Sequence, residues 1–300
     1  MFSVKRLATN IGAELSGINL STPPSDDVMH RLLQVFYEHG VLVIRNQHLD
    51  LSQFEHFGRY FGRAKPHFLD HLRLPGYDSV LLLSNIHENG KPIGIYEGAA
   101  FWHTDVAYED PPNTSTVVYA VQVPKSGGRT WFANQYAAYE ALPQSVRDKI
   151  DGLRVIHHYG NRADMNENSR TSAEKLNELQ KKNIKNVIMP LVRRHPVTGR
   201  KALYGVAGSS FHIVGMPDDE AVDLLNELAA HATKPEFIAS HRYQEGDVAA
   251  WDTFSTLHKA ELLDPVRDRQ DPQARLLYRL SVTGQSPLLV KENLGNRAGS

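Results

Sequence analysis

Phe101-Trp102-His103-Thr104-Asp105 sets two metal-ligating residue types one position apart, behind two aromatic residues. Side chains at i and i+2 of an extended strand point to the same face, so His103 and Asp105 are placed to reach one ion together. A second imidazole from elsewhere, with His258 the leading candidate, would complete two histidines and one carboxylate on one face of a metal. That facial set leaves the opposite face open, as in non-haem Fe(II) oxygenases. The triplet alone is weak evidence, because 15 His and 18 Asp in 300 residues make about one His-x-Asp expected by chance. One other occurs, His48-Leu49-Asp50, and it reads as a loop between a strand and a helix.

Outward from this stretch the chain reads as many short strands. Val41-Leu42-Val43-Ile44 is apolar, β-branched and brief, the pattern of a buried strand. Further strands are expected over 80–83, 116–121, 129–133, 153–158, 237–243, 248–251 and 276–283, divided by Gly, Pro and Asp turns. Ser25 is placed to cap a helix whose apolar face is Val28, Leu32, Val35 and Phe36. Ser52 is placed to cap another, with Phe54, Phe57 and Phe61 on one side. A third helix is expected from about 218 to 231, with Val222, Leu225 and Leu228 inward. Such a run of strands with few helices predicts a sandwich or barrel. The segment 160–186 is rich in Asn, Glu, Lys and Arg and reads as a polar excursion, lid-like or merely solvated, within one domain spanning 1–300.

Bulk properties exclude several functions. A formal net charge of -1 with no long basic run removes the electrostatic case for nucleic-acid binding. No stretch approaches the roughly 18 apolar residues of a membrane span. Residues 1–6 lack the apolar region of a signal peptide. The absence of cysteine removes disulfides, thiolate ligands and Cys nucleophiles. A soluble cytoplasmic protein acting on a small-molecule substrate is expected, with homo-oligomerisation left open.

Among the remaining histidines, context favours His258, which follows the Gly246-Asp247 turn and the strand over 248–251. His157-His158 reads as a packed or hydrogen-bonded pair, and His67, His71 and His212 stand as pocket candidates. Arg275 and Arg279 lie four apart in one strand and so share a face. Two guanidiniums aimed into a cavity imply an acidic ligand, bound through paired hydrogen bonds. Gly127-Gly128-Arg129-Thr130 adds a turn and a hydroxyl near that ligand.

In order along the chain, these pieces resemble the taurine dioxygenase family of Fe(II)- and 2-oxoglutarate-dependent oxygenases. The matching text begins at Ile11-Gly12-Ala13-Glu14-Leu15-Ser16-Gly17 and continues through Trp102-His103-Thr104-Asp105, Pro111-Pro112 and Gly127-Gly128-Arg129-Thr130. It goes on through Ala137-Ala138-Tyr139-Glu140-Ala141-Leu142, His195-Pro196-Val197-Thr198-Gly199-Arg200 and Thr233-Lys234-Pro235-Glu236-Phe237. It closes with Gly246-Asp247, Trp251-Asp252, His258, Arg275 and Arg279. The resemblance implies a mainly β chain with flanking helices, a double-stranded β-helix or jelly roll. It implies that His103, Asp105 and His258 hold Fe(II), with 2-oxoglutarate and O2 as cosubstrates. By position, Thr130 and Arg275 would hold the distal carboxylate of 2-oxoglutarate. Arg279, His67, Asp70, Ala99 and Val106 would face the primary substrate.

Two departures bear on that substrate. Asp70 stands where the taurine enzyme has Tyr, and Ala99 where it has Asn, four residues before the metal histidine. An acidic or apolar residue beside a sulfonate weakens anion binding, so taurine is not the expected substrate. Aryloxyalkanoates, alkyl sulfates, other sulfonates and natural-product precursors remain. The expected reaction is hydroxylation of a C–H bond of a small anionic compound, with release of succinate and CO2. Asp105 fills the site a halide would need, which disfavours halogenation. Desaturation or oxidative decarboxylation uses the same ligands and is the alternative. A non-catalytic jelly-roll metal- or ligand-binding protein is the rival class, but a closed structural zinc site takes four protein ligands, commonly Cys.

Overall fold

Val41–Ile44 is a strand with every residue buried, as its apolar composition predicts. In the computed structural model, which describes residues 2–67, 72–96, 100–159, 182 and 184–290, this strand belongs to a nine-stranded sheet. Ser3–Arg6, Ala13–Ser16, Val41–Ile44, Val248–Asp252, Ser115–Gln122, Leu276–Thr283, Tyr77–Ser84 and Arg73–Leu74 lie side by side, and Arg63–Lys65 also pairs with Leu276–Thr283. Ile238–His241, Thr130–Asn134 and Thr256–Ala260 form a second, antiparallel sheet.

Period-two alternation sorts the large sheet into two buried faces. Leu42, Ile44, Val117, Tyr119, Val248, Ala250, Leu280 and Val282 pack beneath Met29, Leu32, Leu33, Phe36, Phe54 and Phe57 of the two N-terminal helices. Val41, Val43, Val118, Ala120, Ala249, Trp251 and Leu277 turn the other way and meet Phe132, Ala239 and Tyr243 of the smaller sheet. Two sheets face to face with helices outside make a jelly roll, the double-stranded β-helix expected from the sequence. Among the described residues, no helix is long and apolar enough to cross a membrane.

Ser25 does cap the helix Asp26–His39, accepting from the Val28 N–H. Ser52 is not a cap. Asp50 caps Leu51–Gly58 in a capping box with Gln53, which gives the carboxylate of His48-Leu49-Asp50 a structural task. The helix Asp218–Ala232 buries Ala221, Leu224, Leu225, Leu228 and Ala232, while Val222 sits half-buried at the flank of that stripe. Its apolar face packs with the strands Arg154–His157 and Ser210–Ile213 in a separate core. Of the polar excursion over 160–186, only 182 and 184–186 fall within the described residues.

Candidate metal centre and cosubstrate pocket

His258 lies within a strand, Thr256–Ala260, and not just past one as its sequence context suggested. It pairs with Phe132 of Thr130–Asn134 on one side. On the other it meets His103 in an isolated antiparallel bridge. His103 is therefore anchored by one bridge and is not part of a regular strand, and the chain turns at Asp105. Val106, which follows, has a φ of 52°. A β-branched residue in the left-handed region is strained, and such strain clusters at functional sites. The turn redirects the chain immediately after Asp105.

The three candidate ligands converge. Their donor atoms all lie within 4.8 Å of one another, with His103 Nε2 3.6 Å from Asp105 Oδ1 and His258 Nε2 3.4 Å from Asp105 Oδ2. His103 Nδ1 is 2.9 Å from the Phe101 carbonyl oxygen. A carbonyl can only accept, so Nδ1 carries a proton and Nε2 is the nitrogen turned toward the carboxylate. Burial lowers the His258 pKa to about 3 against the pull of Asp105, so this ring is a neutral imidazole. Burial alone would raise the Asp105 pKa. The Arg279 guanidinium, the largest opposing influence, overcomes it and holds the carboxyl well below the usual range. Imidazole nitrogens and an ionised carboxylate facing one point are the donor set of a divalent cation, so these residues fit Fe(II).

Asp105 has two further partners. Thr116 Oγ1 donates to Oδ2 at 2.6 Å, and Arg279 Nη2 stands 2.6 Å from Oδ1. Thr116 was not singled out in the sequence. Its alternation with Val118 and Ala120 on the inner face was the available signal. Arg279 is brought to the candidate metal donors themselves.

Arg275 and Arg279 alternate with Leu277, an inner-face residue, so both enter the space between the sheets. The Arg275 Nε is buried without a hydrogen-bond partner, and among the described residues no carboxylate forms an ion pair with this guanidinium. Its backbone N–H is held by Asn85 Oδ1 at 2.8 Å. Thr130, buried and at the start of its strand, makes a 3.1 Å hydrogen bond with the Tyr243 hydroxyl. The Gly127-Gly128 turn before it uses positive φ at both glycines, 74° and 71°.

Of the other sequence candidates, His67 is described, and its carbonyl accepts from Arg73 Nε at 2.7 Å. Asp70 and Ala99, like His71, lie outside the described residues. His157 is buried against Ser209, its Nδ1 3.1 Å from the hydroxyl, the packed histidine expected. His212 sits 2.9 Å from Asp218. Gly208 was missed. A Cβ there would stand 2.6 Å from the His103 Cβ, so the loop presses on His103 closely enough to require glycine.

Segments distant from the metal support its ligands. His195 Nδ1 accepts the N–H groups of Val197 and Thr198, leaving Nε2 to face Asp252 at 3.3 Å. Asp252 in turn accepts from Phe254 N–H and Ser255 Oγ, bracing the turn that leads into the His258 strand. Arg200 pairs with Glu140 at 2.7 Å, so two of the recurring sequence segments dock on each other.

The family described as taurine catabolism dioxygenase TauD, TfdA family, matches residues 3–280. The chain belongs to this family. As a TauD/TfdA-family member it is a 2-oxoglutarate-dependent dioxygenase, an oxidoreductase using Fe(II), 2-oxoglutarate and O2. It is 30% identical to pentalenolactone F synthase of Streptomyces arenae over 86% of this chain and 89% of that one. It is 31% identical to the alpha-ketoglutarate-dependent 2,4-dichlorophenoxyacetate dioxygenase of Cupriavidus pinatubonensis, over 84% and 89%. Its fold matches the crystal structure of AAD-2 in complex with Mn(II) and N-oxalylglycine with a TM-score of 0.75, at 26% identity over 95% of this chain and 99% of the other.

Proposed function

We propose that this dioxygenase hydroxylates a C–H bond of a small organic anion in the cytoplasm, with His103, Asp105 and His258 as the iron ligands. The convergence of two imidazole nitrogens and one ionised carboxylate within 4.8 Å carries the reading. With its cosubstrates bound, the iron supplies an oxidant strong enough for an unactivated C–H bond, coupled to release of succinate and CO2.

The chain's own residues bind and aim. Thr116 orients the Asp105 carboxylate, and the Phe101 carbonyl fixes the His103 tautomer, the kind of support that sets ligand basicity and direction. Arg275 and Thr130 receive the distal carboxylate of 2-oxoglutarate, which gives the buried guanidinium its counter-charge. Arg279 faces the anionic group of the primary substrate, with Val106 and His67 lining the same pocket and Asp70 and Ala99 assigned there by their sequence positions. Fixing which C–H lies nearest the metal is the protein's main task.

An acidic substrate is supported by Arg279 and by the relative that acts on 2,4-dichlorophenoxyacetate. The relative named pentalenolactone F synthase supports the second reading, desaturation or another oxidation of a natural-product precursor. The test is a panel of sulfonates, sulfate esters, aryloxyacids and terpenoid acids, incubated with Fe(II), 2-oxoglutarate and ascorbate. Substrate-stimulated succinate release is expected, and a product that gains one oxygen separates hydroxylation from one that loses two hydrogens. No stimulation by any acid, with stimulation by neutral compounds, would overturn the anionic assignment.

A further inference from the structure

Ala239, His241 and Tyr243 alternate along one edge of the smaller sheet. Ala239 pairs with Phe132 and His241 with Thr130, so Tyr243 lies just beyond the end of the ladder, on the same inner face. From there its hydroxyl reaches back to Thr130 Oγ1, 3.1 Å away. Both residues are buried, at 5% and 7% exposure.

Two hydroxyls carry two protons, and their mutual hydrogen bond uses one. Among the described residues neither hydroxyl has another recorded partner, so the second proton is aimed at something else. Beside them is Arg275, whose Nε is buried without an acceptor and which lies close enough to Tyr243 for the two to perturb each other electrostatically. Burial pushes the Tyr243 pKa up to about 12, so the phenol keeps its proton and is a donor, not a counter-charge. Three donor groups therefore face one spot, and the nearby acid, Asp247, is engaged through Oδ2 by Arg45, His241 and the Gln244 N–H. A desolvated carboxylate, with two oxygens and about four lone-pair sites, is the ligand that satisfies them.

We infer that Tyr243 is a third donor to the distal carboxylate of 2-oxoglutarate, alongside Arg275 and Thr130, an inference that rests on the cosubstrate reading above. When the carboxylate enters, the two hydroxyls turn from each other to its oxygens while the guanidinium holds its charge. The phenol then selects 2-oxo diacids over 2-oxo monoacids of the same length.

Calorimetric titration of the Mn(II)-loaded protein with N-oxalylglycine reads this without turnover. Tyr243→Phe keeps the ring and removes only the hydroxyl. It is expected to weaken N-oxalylglycine by about tenfold to a hundredfold, the range for one charge-assisted hydrogen bond. Binding of 2-oxovalerate, which has the keto-acid end but no distal carboxylate, should be unchanged. Unaltered N-oxalylglycine affinity, or equal weakening of both ligands, would overturn the inference, the latter because it marks a packing role. Arg275→Gln, titrated in parallel, separates the two levels. If it too binds N-oxalylglycine normally, the cosubstrate pocket itself is misplaced. If it loses binding while Tyr243→Phe does not, only the role of Tyr243 falls.

Discussion

His103 and His258 are joined through their backbones: each donates its N–H to the other's carbonyl oxygen, at 3.0 Å in both directions. Strand pairing of the two backbones brings the imidazoles together, with centroids 4.2 Å apart. Because that pairing runs through main-chain groups, ligand removal is separable from unfolding.

His103→Ala and His258→Ala should therefore keep the bridge and a cooperative melt while losing Fe(II) and all substrate-stimulated succinate. Asp105→Ala should do more, because it strands the Arg279 guanidinium, a loss on the order of 3–5 kcal/mol for a broken buried pair. Metal stoichiometry by titration and thermal unfolding of the three variants check both statements. Retention of one tightly bound iron in any of them would refute the triad.

Gly208→Ala should damage the metal centre from outside it. The new Cβ would meet the His103 Cβ at 2.6 Å, and the backbone has φ +85°. Gly215 has φ +80° with nothing within 4 Å, so Gly215→Ala isolates the conformational cost, about 1–2 kcal/mol. Only the Gly208 variant should also lose Mn(II) affinity in a calorimetric titration.

Thr116→Val keeps the shape at position 116 and removes the hydroxyl that orients Asp105. Loss of such a supporting hydrogen bond weakens metal binding by about tenfold to a hundredfold. Thr116→Ser, which restores the donor, should recover most of it. Equal affinities for the Val and Ser variants would show that the hydroxyl is incidental.

His157 gives the fold a pH dependence of defined sign. Burial, and then the nearby Arg193, lower its pKa from the ordinary 6.5 to about 3. Between those values the unfolded chain takes up a proton that the folded chain refuses, so stability falls as pH falls. The contribution is intact above pH 6.5, and about 2 kcal/mol is lost by pH 5. His157→Gln should flatten that part of the stability profile measured by urea denaturation, and an unchanged slope would place the proton uptake elsewhere.

Local pattern made much of this fold legible. Val41–Ile44 and Leu276–Thr283 have the bounds their apolar runs predict, and Arg279 faces the space between the sheets as its place in that strand predicts. Thr256–Ala260 was hidden because Thr, His and Lys interrupt its apolar residues and one of its partners is the distant stretch at His103. The same non-locality concealed Thr116 and Tyr243, whose importance comes from what lies across the space between the sheets. A serine before an apolar run is a fair signal for a cap at Ser52, yet Asp50 with Gln53 satisfies two backbone donors reciprocally and prevails.

Leu276–Thr283 is covered on both faces, and this makes its frame as consequential as its composition. A slip of one residue against Ser115–Gln122 would present Tyr278 and Leu280 to the space between the sheets and drive Arg279 under the helices. Polar loops elsewhere can lengthen or shorten without such an exchange. In the span from Arg275 to Arg279, a single inserted or deleted codon would turn a binding site inside out, while many single substitutions would leave its orientation intact.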